Sequence, residues 1–210
     1  MKINYQVELD KVIQQNEKEG KVPTLLLHSC CAPCSTYVLE YLSDYFKIYL
    51  LYYNPNIYPV SEYYFREEEQ MKLIEKLETK HKIEFVKAKF DPMNYYSAVK
   101  GHEKEPEGDK RCEICFDLRL REAGLKAKEM GLDYFTTTLS ISPHKNSQIL
   151  NEVGKKLEEE LGVKYLHSDF KKKNGFKRSV ELTAQYDMYR QDYCGCIFSL
   201  NESKQRQKGL

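Results

Sequence analysis

Tryptophan is absent, so the aromatic surface rests on 17 tyrosines and nine phenylalanines, the tyrosines being flat faces with polar tips. An excess of one charge sign is lacking too: 33 basic against 32 acidic side chains give a net charge of +1. A global basic field is thereby excluded, and any nucleic-acid contact must come from a local patch. No apolar run approaches the roughly 20 residues that a membrane helix needs. The stretch from Met1 to Gly20 is charged and amphipathic, without the apolar core and small-residue cleavage site of a secretory signal. The expectation is a cytoplasmic protein with no membrane partner. Repeats and linker-like stretches are also missing. With 41% hydrophobic and 31% charged residues, the 210-residue chain is expected to fold as one α/β domain. Residues 1–20 would be an N-terminal helical extension and 203–210 a flexible polar tail.

What the chain does have is cysteine, seven in all. In a reducing compartment stable disulfides are rare, so this number points to metal binding or redox chemistry. Three thiols fall in His28-Ser29-Cys30-Cys31-Ala32-Pro33-Cys34-Ser35. The apolar run before them reads as a buried strand, and Ser35 to Leu42 reads as the first turns of a helix. Pro33 suits a first helical turn. Cys34 then sits near a helix N-terminus, which favours a thiolate.

The rest of the chain alternates. Strands are expected at Lys21 to His28, Phe46 to Tyr53, Ile83 to Phe90, Tyr134 to Ser140 and Val163 to Leu166. Helices are expected at Val7 to Lys18, Ser61 to Lys80, near Tyr95 to Val99, Glu113 to Met130, Asn146 to Leu161 and Ser179 to Arg190, with His102 to Arg111 a polar loop. Such alternation means crossover units and a mostly parallel five-stranded sheet, Rossmann-like and three-layered, with helices on both faces. Ligands bind such sheets at the carboxyl edge of the strands. That rule gathers Cys30, Cys31, Cys34, Asn54, Asn56, Asp91, Ser140 to Asn146 and Asp169 along one rim.

A second thiol pair, Cys112-Glu113-Ile114-Cys115, opens a helix, and its spacing puts both sulfurs on one face. Arg111 and the helix N-terminus both favour thiolates there. Such a pair is half of a four-sulfur site for zinc or an iron–sulfur cluster. Cys30 and Cys31 would point to opposite faces of an extended strand, so sharing one metal requires a turn at that point. The third group is Tyr193-Cys194-Gly195-Cys196. Its two thiols suit a strained, easily reduced disulfide, with metal ligation the alternative. Cys34 is left as a third ligand, a reactive thiolate or a site for a second metal.

Two weaker stretches complete the inventory. Thr136 to Asn146 ends a strand with hydroxyls and then offers His144, Lys145 and Asn146, either a substrate clamp or ordinary capping chemistry. Lys171-Lys172-Lys173-Asn174-Gly175-Phe176-Lys177-Arg178 is a basic loop enclosing an aromatic, either a solvated face or a contact to an RNA backbone.

Together these residues resemble the family of epoxyqueuosine reductase QueH. The resemblance rests on the segments His28 to Cys34, Tyr53 to Pro59 with Glu62, Tyr63 and Arg66, Arg111 to Cys115 with Arg119 and Leu120, Thr137 to Lys145, and Tyr189 to Cys196. It implies reduction of epoxyqueuosine in tRNA to queuosine without cobalamin. The substrate would be tRNA carrying epoxyqueuosine at the anticodon wobble position, with an electron donor the sequence leaves unidentified. It also implies a [4Fe-4S] cluster on Cys30, Cys31, Cys112 and Cys115, and a redox-active pair at Cys194 and Cys196. Some members carry Asp at the position of Cys34, which is the candidate for a second, mononuclear iron. Cys34 and His144 join the catalytic candidates, the latter as a proton donor. Asn54, Asn56, Lys145, Lys171, Lys172, Lys173 and Arg178 are candidates for substrate or tRNA binding. Other classes stay open. A tRNA-sulfurating ATP pyrophosphatase would want a Ser- and Gly-rich phosphate loop where this chain has Cys-Cys-Ala-Pro-Cys. A non-catalytic zinc/RNA-binding module would hold zinc and no sulfide.

Overall fold

The computed structural model describes residues 3–209. Its chain order is α1 (Tyr5–Lys18), β1 (Thr24–His28), α2 (Ala32–Leu42), β2 (Lys47–Tyr52), α3 (Val60–Lys76), β3 (Ile83–Lys87) and α4 (Pro92–Ala98). Then follow α5 (Lys110–Glu129), β4 (Tyr134–Thr137), a 3-10 turn (Thr138–Ile141), α6 (Ser147–Leu161), β5 (Lys164–Tyr165), α7 (Gly175–Gln185) and α8 (Ile197–Gln207). The five strands form one sheet in the order β3-β2-β1-β4-β5, with every pair parallel. The expected α/β class and helices on both faces are found, and the sheet is wholly parallel.

Alternation along β1 divides the interior. Leu25 and Leu27 face a core with Leu9 and Ile13 of α1, Leu39 and Leu42 of α2, and Leu73 of α3. Leu26 faces the opposite core with Leu120 and Ala123 of α5 and Leu150 and Leu157 of α6. A central strand buried on both faces is what a parallel sheet requires. Successive elements after β1 build outward to one side, through β2 and β3, and later ones to the other, through β4 and β5. The direction in which strands are added to the sheet therefore reverses between β1 and β4, and a crevice opens beyond their carboxyl ends.

Three readings of the termini and basic loop change. α1 is part of the main core, with Tyr5, Leu9 and Ile13 buried, so the described part of the N-terminal extension is a packed helix; Met1 and Lys2 lie outside the described residues. Residues 203–207, expected in a flexible tail, continue α8, and Leu210 lies outside the described residues. That helix is anchored because Arg111 reaches Glu202 at 3.3 Å and lies over the Phe198 ring at 4.6 Å, and Ser203 donates to Asp192 at 3.1 Å. Inside the basic loop, Asn174 takes a left-handed conformation at φ 60° and α7 starts at the next residue. Strand four ends early because the Thr137 hydroxyl oxygen accepts from the Leu139 N–H, turning the chain into the 3-10 segment.

Candidate metal and redox site

The Cys-rich turn after β1 and the 3-10 turn after β4 meet at the crevice. The backbone N–H of Cys30 donates to the Thr138 hydroxyl at 3.2 Å, locking the two turns together. Cys31 is extended (φ −174°, ψ 161°) at the N-cap of α2, and helix begins at Ala32. The abrupt change of backbone direction brings neighbouring thiols to one side, where strand geometry would part them. The Cys30 and Cys31 sulfurs are 3.8 Å apart, and those of Cys30, Cys31 and Cys34 all lie within 4.8 Å of one another. Within this trio Cys31 most readily gives up its proton, because Cys30 and Cys34 hydrogen-bond to its sulfur and Arg66 adds positive charge.

The other four thiols meet next door. Tyr95 and Val99 of α4 pack with Cys115 and Cys196, drawing the start of α5 and the start of α8 together. Cys112, Cys115, Cys194 and Cys196 line one small cavity of about 10 Å³ with Arg119 and Lys145. Cys112 accepts from the Gly108 N–H at 3.2 Å. Burial raises the Cys112 thiol, and pushes the Cys115 thiol up to about 12. All seven cysteines are free thiols, so Cys194 and Cys196 stand as an open dithiol. Gly195 between them has φ +134°, and a Cβ there would press on Arg66, Ile57 and Asn56; glycine alone meets both demands. The structure thus sets Cys34 beside Cys30 and Cys31, and the Cys194/Cys196 pair beside Cys112 and Cys115.

Two buried arginines organise the junction; both stand in segments that carry the resemblance, but neither was expected to have a role at the site. Arg119 is 2% exposed and has no carboxylate in ion-pair range among the described residues. Its guanidinium donates to the side-chain oxygen of Asn54, whose amide donates to the Ser29 carbonyl at 2.9 Å. Its Nε is 3.3 Å from Nε2 of His28. Burial works against the charge of Arg119, and the thiols of Cys115, Cys30 and Cys194 work for it. Among the described residues this buried guanidinium has cysteine sulfurs from both thiol groups beside it and no carboxylate, so its charge is left to be balanced from the thiol side. The signal for it was helical phase: Arg119 falls one turn beyond Cys115 on α5. Arg66 is likewise buried. It pairs with Glu62 at 2.7 Å, donates to the Cys194 carbonyl at 3.3 Å and lies 5.0 Å from the centre of the Tyr193 ring. Arg111, expected to favour thiolates, has its guanidinium committed to the Glu103 and Glu105 carbonyls and to α8.

A cleft of about 290 Å³ opens over the trio. Its walls include Cys30, Cys34, Cys194, His144, Lys145 and Tyr193. His144 is exposed at the mouth. Lys145 is only 7% exposed and forms an ion pair with Glu107 at 2.8 Å. Burial opposes its charge, yet the Cys194 thiol and Glu107 outweigh burial and hold it protonated. Otherwise the stretch from Thr136 does capping and bracing work: Thr136 donates to the Leu166 carbonyl, and Asn146 caps α6.

The remaining binding candidates divide. Asn54 is spent on Arg119 and Ser29, so it positions rather than binds. Asn56 is 3% exposed, lines the smaller cavity and has a side-chain oxygen without a partner. Lys171 points inward, donating to the Ser140 carbonyl at 2.9 Å and pairing with Asp169 at 3.0 Å. Lys173 pairs with Asp10 at 2.7 Å, and Arg178 grips Glu40 through Nε at 3.0 Å. Lys172 is exposed and forms no ion pair among the described residues. The basic stretch is mostly a set of internal ties.

Comparison with known proteins bears on the same residues. A family model described as epoxyqueuosine reductase QueH matches residues 25–202. The epoxyqueuosine reductase QueH of Streptococcus pyogenes serotype M1 is 45% identical over 205 residues, covering 95% of this chain and 80% of that protein. The Staphylococcus epidermidis protein of the same name is 44% identical over 202 residues, covering 94% of this chain and 85% of its own length. The one from Thermotoga maritima is 34% identical over 186 residues, covering 87% and 93%.

Proposed function

Because this chain belongs to the epoxyqueuosine reductase QueH family, we propose that it reduces the epoxide of epoxyqueuosine at the wobble position of tRNA to the alkene of queuosine. The observation that carries this reading is the gathering of seven thiols along two cavities that share Cys194, with a buried arginine that has no carboxylate partner among the described residues. In this reading Cys30, Cys31, Cys112 and Cys115 hold a [4Fe-4S] cluster and Cys34 is the candidate residue for a second, mononuclear iron. When bound, the cluster supplies electrons one at a time.

The protein's own groups account for the stoichiometry. Converting an epoxide to an alkene consumes two electrons and two protons and releases water. Oxidation of the Cys194 and Cys196 thiols to one disulfide gives up two electrons and two protons. An external reductant then restores the thiols. Lys145, held charged between Glu107 and Cys194, keeps a positive charge beside this pair. His144 at the cleft mouth is the candidate to hand a proton to the departing oxygen.

Anaerobically purified protein tests the reading. The expected result is about four iron and four sulfide per chain, with or without one extra iron, and conversion of epoxyqueuosine to queuosine in tRNA under a low-potential reductant, followed by mass spectrometry of the nucleosides. Zinc alone without sulfide, together with no conversion, overturns it.

A further inference from the structure

Aromatic side chains gather in the open along one edge of the cleft. Phe65 and Tyr189 are 42% and 41% exposed, and their rings meet edge-on with centroids 5.1 Å apart. Tyr58 is 42% exposed, and its carbonyl accepts from the Tyr193 phenol at 2.8 Å. Tyr193 lines the cleft, and its ring lies over Arg66, the residue next to Phe65 on α3. The strip thus comprises two pairs, Tyr193 with Tyr58 at the cleft wall and Phe65 with Tyr189 on the outer surface, with Arg66 beside the first pair and next to Phe65 in the chain. Contiguous exposed aromatic surface on a single chain is costly in water and marks a contact site.

The chemistry around the strip narrows the partner. The cleft is also lined by His144, Arg190 and Arg206, none of them in an ion pair among the described residues; Arg190 directly follows Tyr189 and lies 5.9 Å from the centre of the Phe176 ring. Three of the five glutamates of α3 are paired, Glu62 with Arg66 and Glu68 and Glu69 with Lys72. Exposed flat faces beside guanidinium groups without a carboxylate partner are what unpaired nucleotides need, since bases stack on rings while phosphates meet the charges. A duplex keeps its base faces covered and has no use for the rings. The cleft, at about 290 Å³, matches one modified base. Bases on either side of it must lie outside, where the strip is.

We propose that Tyr58, Phe65, Tyr189 and Tyr193 form a stacking platform for the unpaired bases that flank the modified nucleotide. This rests on the reading that the substrate is the anticodon loop of tRNA. Phe65 and Tyr189 line neither of the two thiol cavities.

The test compares wild type with the Phe65→Ala/Tyr189→Ala double variant, each checked for helical content and iron. Two RNAs are used, an anticodon stem–loop with its unpaired loop and a fully paired hairpin of equal length. The variant is expected to lose roughly five- to a hundredfold in affinity for the stem–loop per stacked base, to bind the paired hairpin as wild type does, and to keep its turnover at saturating RNA. A Phe65→Leu/Tyr189→Leu variant, which keeps apolar packing without flat faces, is expected to show the same loss. Unchanged stem–loop affinity in both variants, or an equal loss for both RNAs, overturns the platform while wild-type reduction of the stem–loop leaves the tRNA reading standing. A wild-type protein that neither binds nor reduces the stem–loop takes down the reading and the platform together.

Discussion

Arg119 donates a hydrogen bond to the side-chain oxygen of Asn54, and Asn54 in turn donates to the carbonyl of Ser29, the residue before Cys30. A single buried relay thus connects α5, which carries Cys112 and Cys115, to the Cys-rich turn. It fixes the relative position of two thiol groups that are far apart in sequence.

Arg119→Lys is expected to damage that relay in two ways. An ammonium lacks the planar fork that spans Asn54 and the thiols, so folding stability is expected to fall by about 1.5 to 3 kcal/mol, the usual cost of a lost charged hydrogen bond. Arg119→Gln removes the charge as well and is expected to shift the reduction potential of the reconstituted cluster downward, because a nearby cation favours the more negative, reduced form. Thermal melts and a spectroscopic redox titration check these. An unshifted potential in the Gln variant would separate Arg119 from the cluster's electrostatics.

Cys112→Ala and Cys194→Ser are expected to part company. The first removes a proposed ligand and is expected to lose iron, sulfide and activity together. Serine at 194 keeps the side-chain size but cannot form a disulfide, so iron is expected to stay while multiple turnover stops. Iron content and nucleoside conversion on the same anaerobic samples decide the matter. Iron lost from Cys194→Ser would make that pair ligands.

The lysines of the basic stretch are expected to differ. Lys171→Gln breaks a tie to the Ser140 carbonyl and Asp169. It is expected to cost about 1 kcal/mol or more of stability with little change in the salt dependence of tRNA binding. Lys172→Gln removes an exposed charge with no ion pair among the described residues, and is expected to leave stability intact and to reduce the log–log salt slope by about 0.7 to 0.9, the share of one phosphate contact. Chemical melts and binding isotherms at several salt concentrations separate the two, and identical slopes for wild type and Lys172→Gln would remove this lysine from the interface.

His167 is expected to set part of the acid sensitivity of the fold. Its ring stacks on Tyr5 with centroids 5.5 Å apart and meets Tyr165 edge-on, and its Nδ1 faces the Asn151 oxygen at 3.2 Å. Burial lowers its pKa below 6.5, with Lys155 adding to the effect and Glu158 and Glu8 opposing it. The folded state therefore binds this proton less readily than the unfolded state, so the contribution is whole above about pH 6.5 and shrinks as pH falls below it. His167→Gln is expected to show a flatter fall in melting temperature between about pH 6.5 and pH 5. A fall as steep as in wild type would rule this histidine out.

Local sequence alone determined the alternation of strands and helices, since period and turn residues act over a few positions. It also determined that Cys30, Cys31 and Cys34 would follow β1 and that Cys112 and Cys115 would share a helix face. Asn146 as the cap of α6 and Gly162 as its left-handed stop were legible for the same reason. Tertiary structure decided which thiols stand together, because that depends on the reversal of strand order between β1 and β4 and on how α4, α5 and α8 pack. It turned Lys171, Lys173 and Arg178 from a basic patch into ties, because each found a partner far away in the chain, the Ser140 carbonyl, Asp10 and Glu40. It also made residues 197–207 a helix, held by Arg111 across a long sequence gap. A polar segment read in isolation has no reason to leave water; only a buried partner, supplied by the fold, gives it one.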